Sequence, residues 1–203
     1  MKRNILVGMI AGLALLTLVG GASAGYIVDT GTTLGGSTWS LVSDQWLAAE
    51  FTIAESNTIT SLEGYMWGAY GAPGTLTAAI YSDGGDLPGS LLYSRQFTAG
   101  TTSDWYGPAG LDWVLASGTY WAAFQVVEGD TYWGSLPGSA VTALDNEAYY
   151  WPGFGWMAGD YLDLGIRIGG DSAPVPEPGT FALLGLGMAG LAMCRRQRKS
   201  NRA

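Results

Sequence analysis

Tyr161-Leu162-Asp163-Leu164-Gly165-Ile166-Arg167-Ile168 places four apolar residues, Leu162, Leu164, Ile166 and Ile168, at alternate positions. A period of two puts all four on one face of an extended strand, the pattern of a half-buried β-strand. The same reading extends backwards through the chain. Runs rich in β-branched and aromatic residues recur between Gly, Pro, Asp and Ser clusters, and no window from Gly25 onward sustains apolar residues at helical spacing. The expected strands are Leu47 to Ala54, Thr58 to Trp67, Thr75 to Ser82, Ser90 to Thr98, Asp112 to Leu115, Thr119 to Val127, Thr131 to Gly134, Glu147 to Trp151 and Tyr161 to Ile168. Eight or nine short strands with frequent turns predict an all-β fold, an antiparallel jelly-roll-like β-sandwich. Ser82-Asp83-Gly84-Gly85-Asp86-Leu87-Pro88-Gly89 is the strongest turn, with two glycines able to take positive φ, two Asx side chains and a proline.

The ends have another character. Lys2 and Arg3 precede the apolar run Ile5 to Val19, and Ala22-Ser23-Ala24 supplies small residues where a signal peptidase cuts. That is a secretory signal helix over residues 1–24, cleaved after Ala24; the alternative is an uncleaved anchor. At the other end Phe181 to Met193 is apolar, and Arg195, Arg196, Arg198, Lys199 and Arg202 follow. A transmembrane helix over 181–194 is short against the roughly 20 residues that a full bilayer needs, so it suits a thinned bilayer or a temporary stay. Its cations hold residues 195–203 on the cytoplasmic side. The alternatives are an ordinary C-terminal anchor and a buried helix of a soluble fold; five cations within Arg195 to Arg202 speak against the buried helix, and Val175 to Pro178 before so marginal a span against the plain anchor.

Between them lies the linker 171–180 with Val175-Pro176-Glu177-Pro178. Two prolines around one residue fix φ and remove donors, so helix cannot propagate back through them and the segment stays extended. In this order the motif, the apolar segment and Arg195-Arg196-Gln197-Arg198-Lys199 resemble a PEP-CTERM sorting signal, with Gly179-Thr180 where a hydroxyl residue often follows directly. The resemblance covers about the last thirty residues. It implies a Gram-negative bacterial protein that crosses the inner membrane, is anchored there transiently and is processed by an exosortase. It also implies delivery to the outer surface or an exopolysaccharide matrix, and says nothing of the cargo's activity.

The cargo is the ectodomain, residues 25–170, of a size that suits one domain. Residues 25–173 carry sixteen acids against two cations, Arg95 and Arg167, a net charge of −14 where the whole chain has −8. Nucleic acid and anionic lipid surfaces are therefore disfavoured as partners; cations and neutral polymers are not. The single cysteine, Cys194, lies in the tail, and histidine is absent from the chain. These two facts exclude an internal disulfide in the domain, a Ser-His-Asp or Cys-His apparatus and a His-ligated metal site. All nine tryptophans lie in the domain and supply burial instead.

Gln45-Trp46-Leu47-Ala48-Ala49-Glu50-Phe51-Thr52, Ile80-Tyr81-Ser82-Asp83, Leu87-Pro88-Gly89-Ser90-Leu91-Leu92 and Ser117-Gly118-Thr119-Tyr120-Trp121 together resemble the choice-of-anchor R type of exported β domain. That resemblance implies a fold, not an activity.

Three constellations carry chemistry. Asp83 and Asp86 either cap their turn or hold calcium, a hard cation that takes carboxylate and carbonyl oxygens; no other cofactor is expected. Tyr150, Trp151, Phe154 and Trp156 crowd a Gly/Pro loop and either pack as core or present aromatic faces to a glycan, whereas Trp113 and Trp121 read as core. Glu50, Glu63, Glu128 and Glu147 are the acids available to a glycosidase, which needs two facing across a cleft. The expectation is a non-enzymatic surface or matrix protein with a structural or adhesive role. A carbohydrate-binding module is the alternative and a glycoside-acting enzyme the third reading.

Overall fold

The computed structural model describes residues 25–32, 38–43, 45–67, 72–138, 140–142, 144, 146–159, 162–172 and 187. Residues 1–24 with Ala22 and Ala24, the Val175 to Pro178 motif, the apolar segment 181–194 apart from Gly187, and Arg195, Arg196, Arg198 and Lys199 lie outside them. No helix of the described residues is long and apolar enough to cross a membrane. The chain divides into two compact units, residues 1–172 and 173–203.

The first unit contains β1 (Gly25–Asp29), β2 (Thr38–Leu41), β3 (Trp46–Ile53), β4 (Asn57–Met66), β5 (Gly74–Asp83), β6 (Pro88–Ala99), β7 (Asp104–Tyr106), β8 (Ala109–Leu115), β9 (Gly118–Val126), β10 (Gly134–Pro137), β11 (Glu147–Trp151), β12 (Gly155–Ala158) and β13 (Ile166–Ser172). One sheet runs β1-β13-β4, with β8 on the Asn57 half of β4 and β7 on its Met66 half. The second runs β12-β11-β3-β9-β5-β6, and β2 pairs β10 in a small ribbon. Strands β1-β13-β4-β8 opposite β3-β9-β5-β6 are the two halves of a jelly roll, since β3, β4 and β5, then β6, β8 and β9, alternate between the sheets. The hairpin β11–β12 is an addition on the β3 edge.

Alternation builds the core between the sheets. Leu47, Ala49, Phe51 and Ile53 point inward from β3, Leu76, Ala78 and Ile80 from β5, and they meet Leu62, Trp113 and Ile168 of the other sheet in one buried cluster. Ile59 and Leu62 both join it although three positions apart, because β-bulges shift the register of β4 against β8 and of β13 against β4 between them. Gly64 lets the sheets close here: a Cβ at this position would stand 3.1 Å from the Phe124 ring.

The turn at Ser82 to Gly89 joins β5 to β6 as expected. Gly85 and Asp86 take φ of +83° and +66°, and the Gly84 amide donates to the Leu87 carbonyl at 2.9 Å.

Two expected strands need correction. Of Tyr161 to Ile168, Tyr161 lies outside the described residues, Leu162 to Gly165 has no ladder partner, and the strand starts at Ile166. Leu162 and Leu164 are nevertheless buried, while the amides of Asp163 and Leu164 donate to the Glu147 carboxylate at 2.6 Å each. Asp163 sits at φ +48°, outside the extended region, so a side chain replaces the neighbouring strand as acceptor. The run Thr131 to Gly134 is a loop up to Gly134, where β10 starts. Its cause is Asp130, whose carboxylate accepts the Thr75 and Tyr132 amides at 2.8 Å each and curls the chain away from extension.

Candidate ligand-binding site

The outer face of the six-stranded sheet begins with small residues. Ala158, Ala148, Ala48, Ala123 and Ala79 stand in direct register across β12, β11, β3, β9 and β5. A row of methyl groups leaves room for large rings to lie over the sheet from both sides. From one side come Trp156, Tyr150 and Trp46, each paired directly with the next across β12, β11 and β3. From the other come Trp121 and Tyr81, paired across β9 and β5.

The rings converge. Trp46 and Tyr150 stack with centroids 4.0 Å apart and planes 10° from parallel. Trp156 stands edge-on to Tyr150 at 5.5 Å and to Tyr81 at 5.7 Å, closing over the alanines. Trp121 is 0% exposed beneath them, in a second buried cluster with Ala48, Ala123 and Ala148 against which Tyr81, Leu87 and Trp156 pack. Its indole reaches the Asp83 carboxylate at 3.4 Å.

Polar groups edge this surface. Gln125 donates to the Tyr81 hydroxyl, and Asn146 donates to Glu50. Burial holds the Tyr81 phenol above its ordinary value against the lowering effect of the Gln125 bond, so it stays protonated, able to donate or accept. Trp46 Nε1 is buried without an acceptor among the described residues.

The four loop aromatics expected to act together are divided. Tyr150 and Trp156 belong to the platform. Trp151 follows Tyr150 on the strand and so projects to the opposite face, 47% exposed, and Phe154 occupies the hairpin tip at 79%. Gly153 and Gly155 at φ +87° and +80° make that tight reversal. Trp46 and Tyr81 complete the platform and were not singled out from the sequence. Their signal was there: the inward set Leu47, Ala49, Phe51 of β3 leaves Trp46 pointing outward, and Leu76, Ala78, Ile80 of β5 does the same for Tyr81. Trp113 is core between the sheets, stacked on Tyr93 at 5.4 Å, whereas Trp121 is core on the outer face.

The acids take separate places. Glu50 pairs in register with Trp121 on the outer face of one sheet, Glu63 pairs with Arg167 on the outer face of the other, and Glu147 is buried on backbone amides. Glu128 lies in the β9–β10 loop. Asp83 accepts the Gly85 amide at 3.0 Å in an Asx turn, and Asp86 holds the left-handed position of the same turn. Among the described residues no group of three or more His, Cys, Asp or Glu side chains is arranged to hold a metal ion.

The architecture is that of an all-β sandwich domain with a ring platform on one outer face. Residues 174–199 match the family model of the PEP-CTERM protein-sorting motif, so the chain carries that signal behind the sandwich. The motif implies processing by an exosortase and export via the membrane to the cell surface. No curated protein and no solved structure matches the chain.

Proposed function

We propose that the domain is a non-enzymatic adhesive component of the cell surface or exopolysaccharide matrix, and that it holds neutral glycan on the platform of Trp46, Tyr81, Tyr150 and Trp156. One observation carries the reading: the stacked pair Trp46 and Tyr150, with Trp156 edge-on to Tyr150 and to Tyr81, lies on an outer sheet face beside the polar Glu50, Gln125 and Asn146. Ring faces stack on sugar C–H surfaces, and the polar rim bonds to hydroxyls. The acidity of the domain favours a neutral polymer over an anionic one. The choice-of-anchor R resemblance fits such a module, since it implies a sandwich attached to a sorting tail.

The test is affinity electrophoresis of the purified protein in gels containing neutral polysaccharides. Tyr150→Ala with Trp156→Ala should lower retention about tenfold, as expected for stacks of about 0.5–1.5 kcal/mol each, in a protein that still unfolds cooperatively but at a lower melting temperature, because Trp156 no longer packs against the Trp121 cluster. Retention equal to the wild type removes the platform from the reading. Release of reducing sugar from any polymer would replace adhesion with glycoside hydrolysis, and a biofilm of unchanged cohesion after gene deletion would remove the matrix role. Calcium at Asp83 and Asp86 would raise the melting temperature by linkage, so a flat response at millimolar calcium removes the ion.

A further inference from the structure

The outer face of the opposite sheet holds a second cluster of rings and charges, built on other chemistry. Asp29, Arg167 and Glu63 form a row in direct register across β1, β13 and β4. The guanidinium carbon lies 4.0 Å from the Trp105 ring centroid and 5.1 Å from that of Tyr26. Its Nε donates to Asp29 at 3.0 Å, and Trp105 meets Tyr65 edge-on at 5.4 Å. The Tyr26 hydroxyl donates to Glu63 at 3.4 Å.

This cluster keeps unused bonding capacity at the surface. A guanidinium has five N–H donors, and among the described residues Nε alone has an acceptor, while the Arg167 side chain is 24% exposed. Beside it stand two carboxylates with spare lone pairs and Tyr26, 52% exposed. A forked donor, carboxylate acceptors and ring faces within one row suit vicinal hydroxyls on an apolar ring, which is the chemistry of a sugar. Two carboxylates against one cation, on a domain of net charge −14, turn away a phosphate or uronate.

We propose that Arg167, Trp105 and Tyr26 form a second neutral-glycan site, which makes the domain bivalent and a cross-linker of polysaccharide strands. The inference rests on the reading of the first platform as a glycan site. The two sites lie on opposite outer faces of the sandwich, whose sheets are about 10 Å apart before side chains are added, so each engages its own polymer strand. Bivalent attachment then raises avidity and joins strands without further contacts.

The experiment titrates the full-length protein into a soluble neutral glucan, hydroxyethylcellulose, and a galactomannan, with calorimetry for stoichiometry and light scattering for cross-linking, using short oligosaccharides of each for site counting. The expected result is two oligosaccharides per chain and a scattering maximum at intermediate protein. Trp105→Ala with Tyr26→Ala should give one oligosaccharide per chain, with retention in the gel but scattering reduced at least tenfold. Tyr26→Ala alone removes an exposed ring and serves if the double variant fails to fold; it should weaken one of the two sites severalfold. Wild-type stoichiometry and scattering in a folded variant overturn the second site. If Tyr150→Ala with Trp156→Ala abolishes binding entirely, the second site is overturned while the first reading stands; a wild type that binds none of these polymers overturns both.

Discussion

The two outer faces of the sandwich use the same residue types to opposite effect. On the six-stranded face the residues between the rings are alanines, so the rings lie down on the sheet and bury Trp121 completely. On the five-stranded face the residue between them is Arg167, which props Tyr26 and Trp105 apart and leaves Tyr26 half exposed. The size of the side chain between the rings thus decides whether aromatics on an outer face become a second core or stay a surface. One face is a second core beneath its rings, and the other keeps its rings at the surface.

The largest effect expected from this contrast is at Trp121. Trp121→Ala should lose about 3–5 kcal/mol in chemical denaturation, the range for a fully buried large ring. Arg167→Ala should lose less, about 1–2 kcal/mol, for a half-buried cation against two rings with a surface ion pair. Ala123→Leu should lose about 1–3 kcal/mol by overpacking the alanine row. Equal losses at Trp121 and Arg167 would break the comparison.

Glu147 sharpens it, because its carboxylate joins β11, which bears Tyr150, to the segment entering β13, which bears Arg167. Glu147→Ala leaves the Asp163 and Leu164 amides without their acceptor, at about 1–3 kcal/mol for the buried Leu164 amide and less for the part-buried Asp163 amide. The pH dependence has a defined sign. Desolvation raises the Glu147 pKa above its ordinary 4.5 although the backbone bonds pull it down. A raised folded-state value gives stability that is full below the unfolded value and is lost as pH rises through the folded one. Asp130 runs the other way: its bonds from the Thr75 and Tyr132 amides lower its pKa, so its contribution is present above 3.8 and is lost as pH falls through the folded value. Melting curves against pH should therefore show a loss above about pH 4.5 that Glu147→Gln flattens, and a separate acid loss that Asp130→Asn flattens.

The sandwich was legible because alternation reports which side chains are buried. Alternation does not report where the amides go, and at Asp163 and Leu164 they go to a glutamate sixteen and seventeen positions earlier. The strands that escaped notice are short or irregular: β1 carries a bulge between Tyr26 and Val28 that breaks its period, β2 has four residues, β7 has three, and β12 follows β11 across a three-residue turn. The platform was legible in half. Tyr150 and Trp156 were found by their nearness in sequence, and the same nearness added Trp151 and Phe154, which the pleat and the turn send elsewhere. Trp46 and Tyr81 enter only through strand register, a property of pairs of segments that no single run of residues contains.

The smallest effect is expected at Phe154, and it marks the edge of the first face. The ring is 79% exposed on a turn closed by the Phe154 amide bonding to the Trp151 carbonyl at 3.0 Å, a bond that does not involve the side chain. Phe154→Ser should therefore change stability by no more than about 0.5 kcal/mol, as surface substitutions do. Glycan retention should stay at the wild-type level if recognition ends at Trp156, since the tip lies beyond the alanine row on which the stacked rings rest. A fall in retention with an unchanged melting temperature would extend the glycan-binding surface from the sheet onto the hairpin tip, and Trp151→Ser would then show whether both faces of that hairpin contribute.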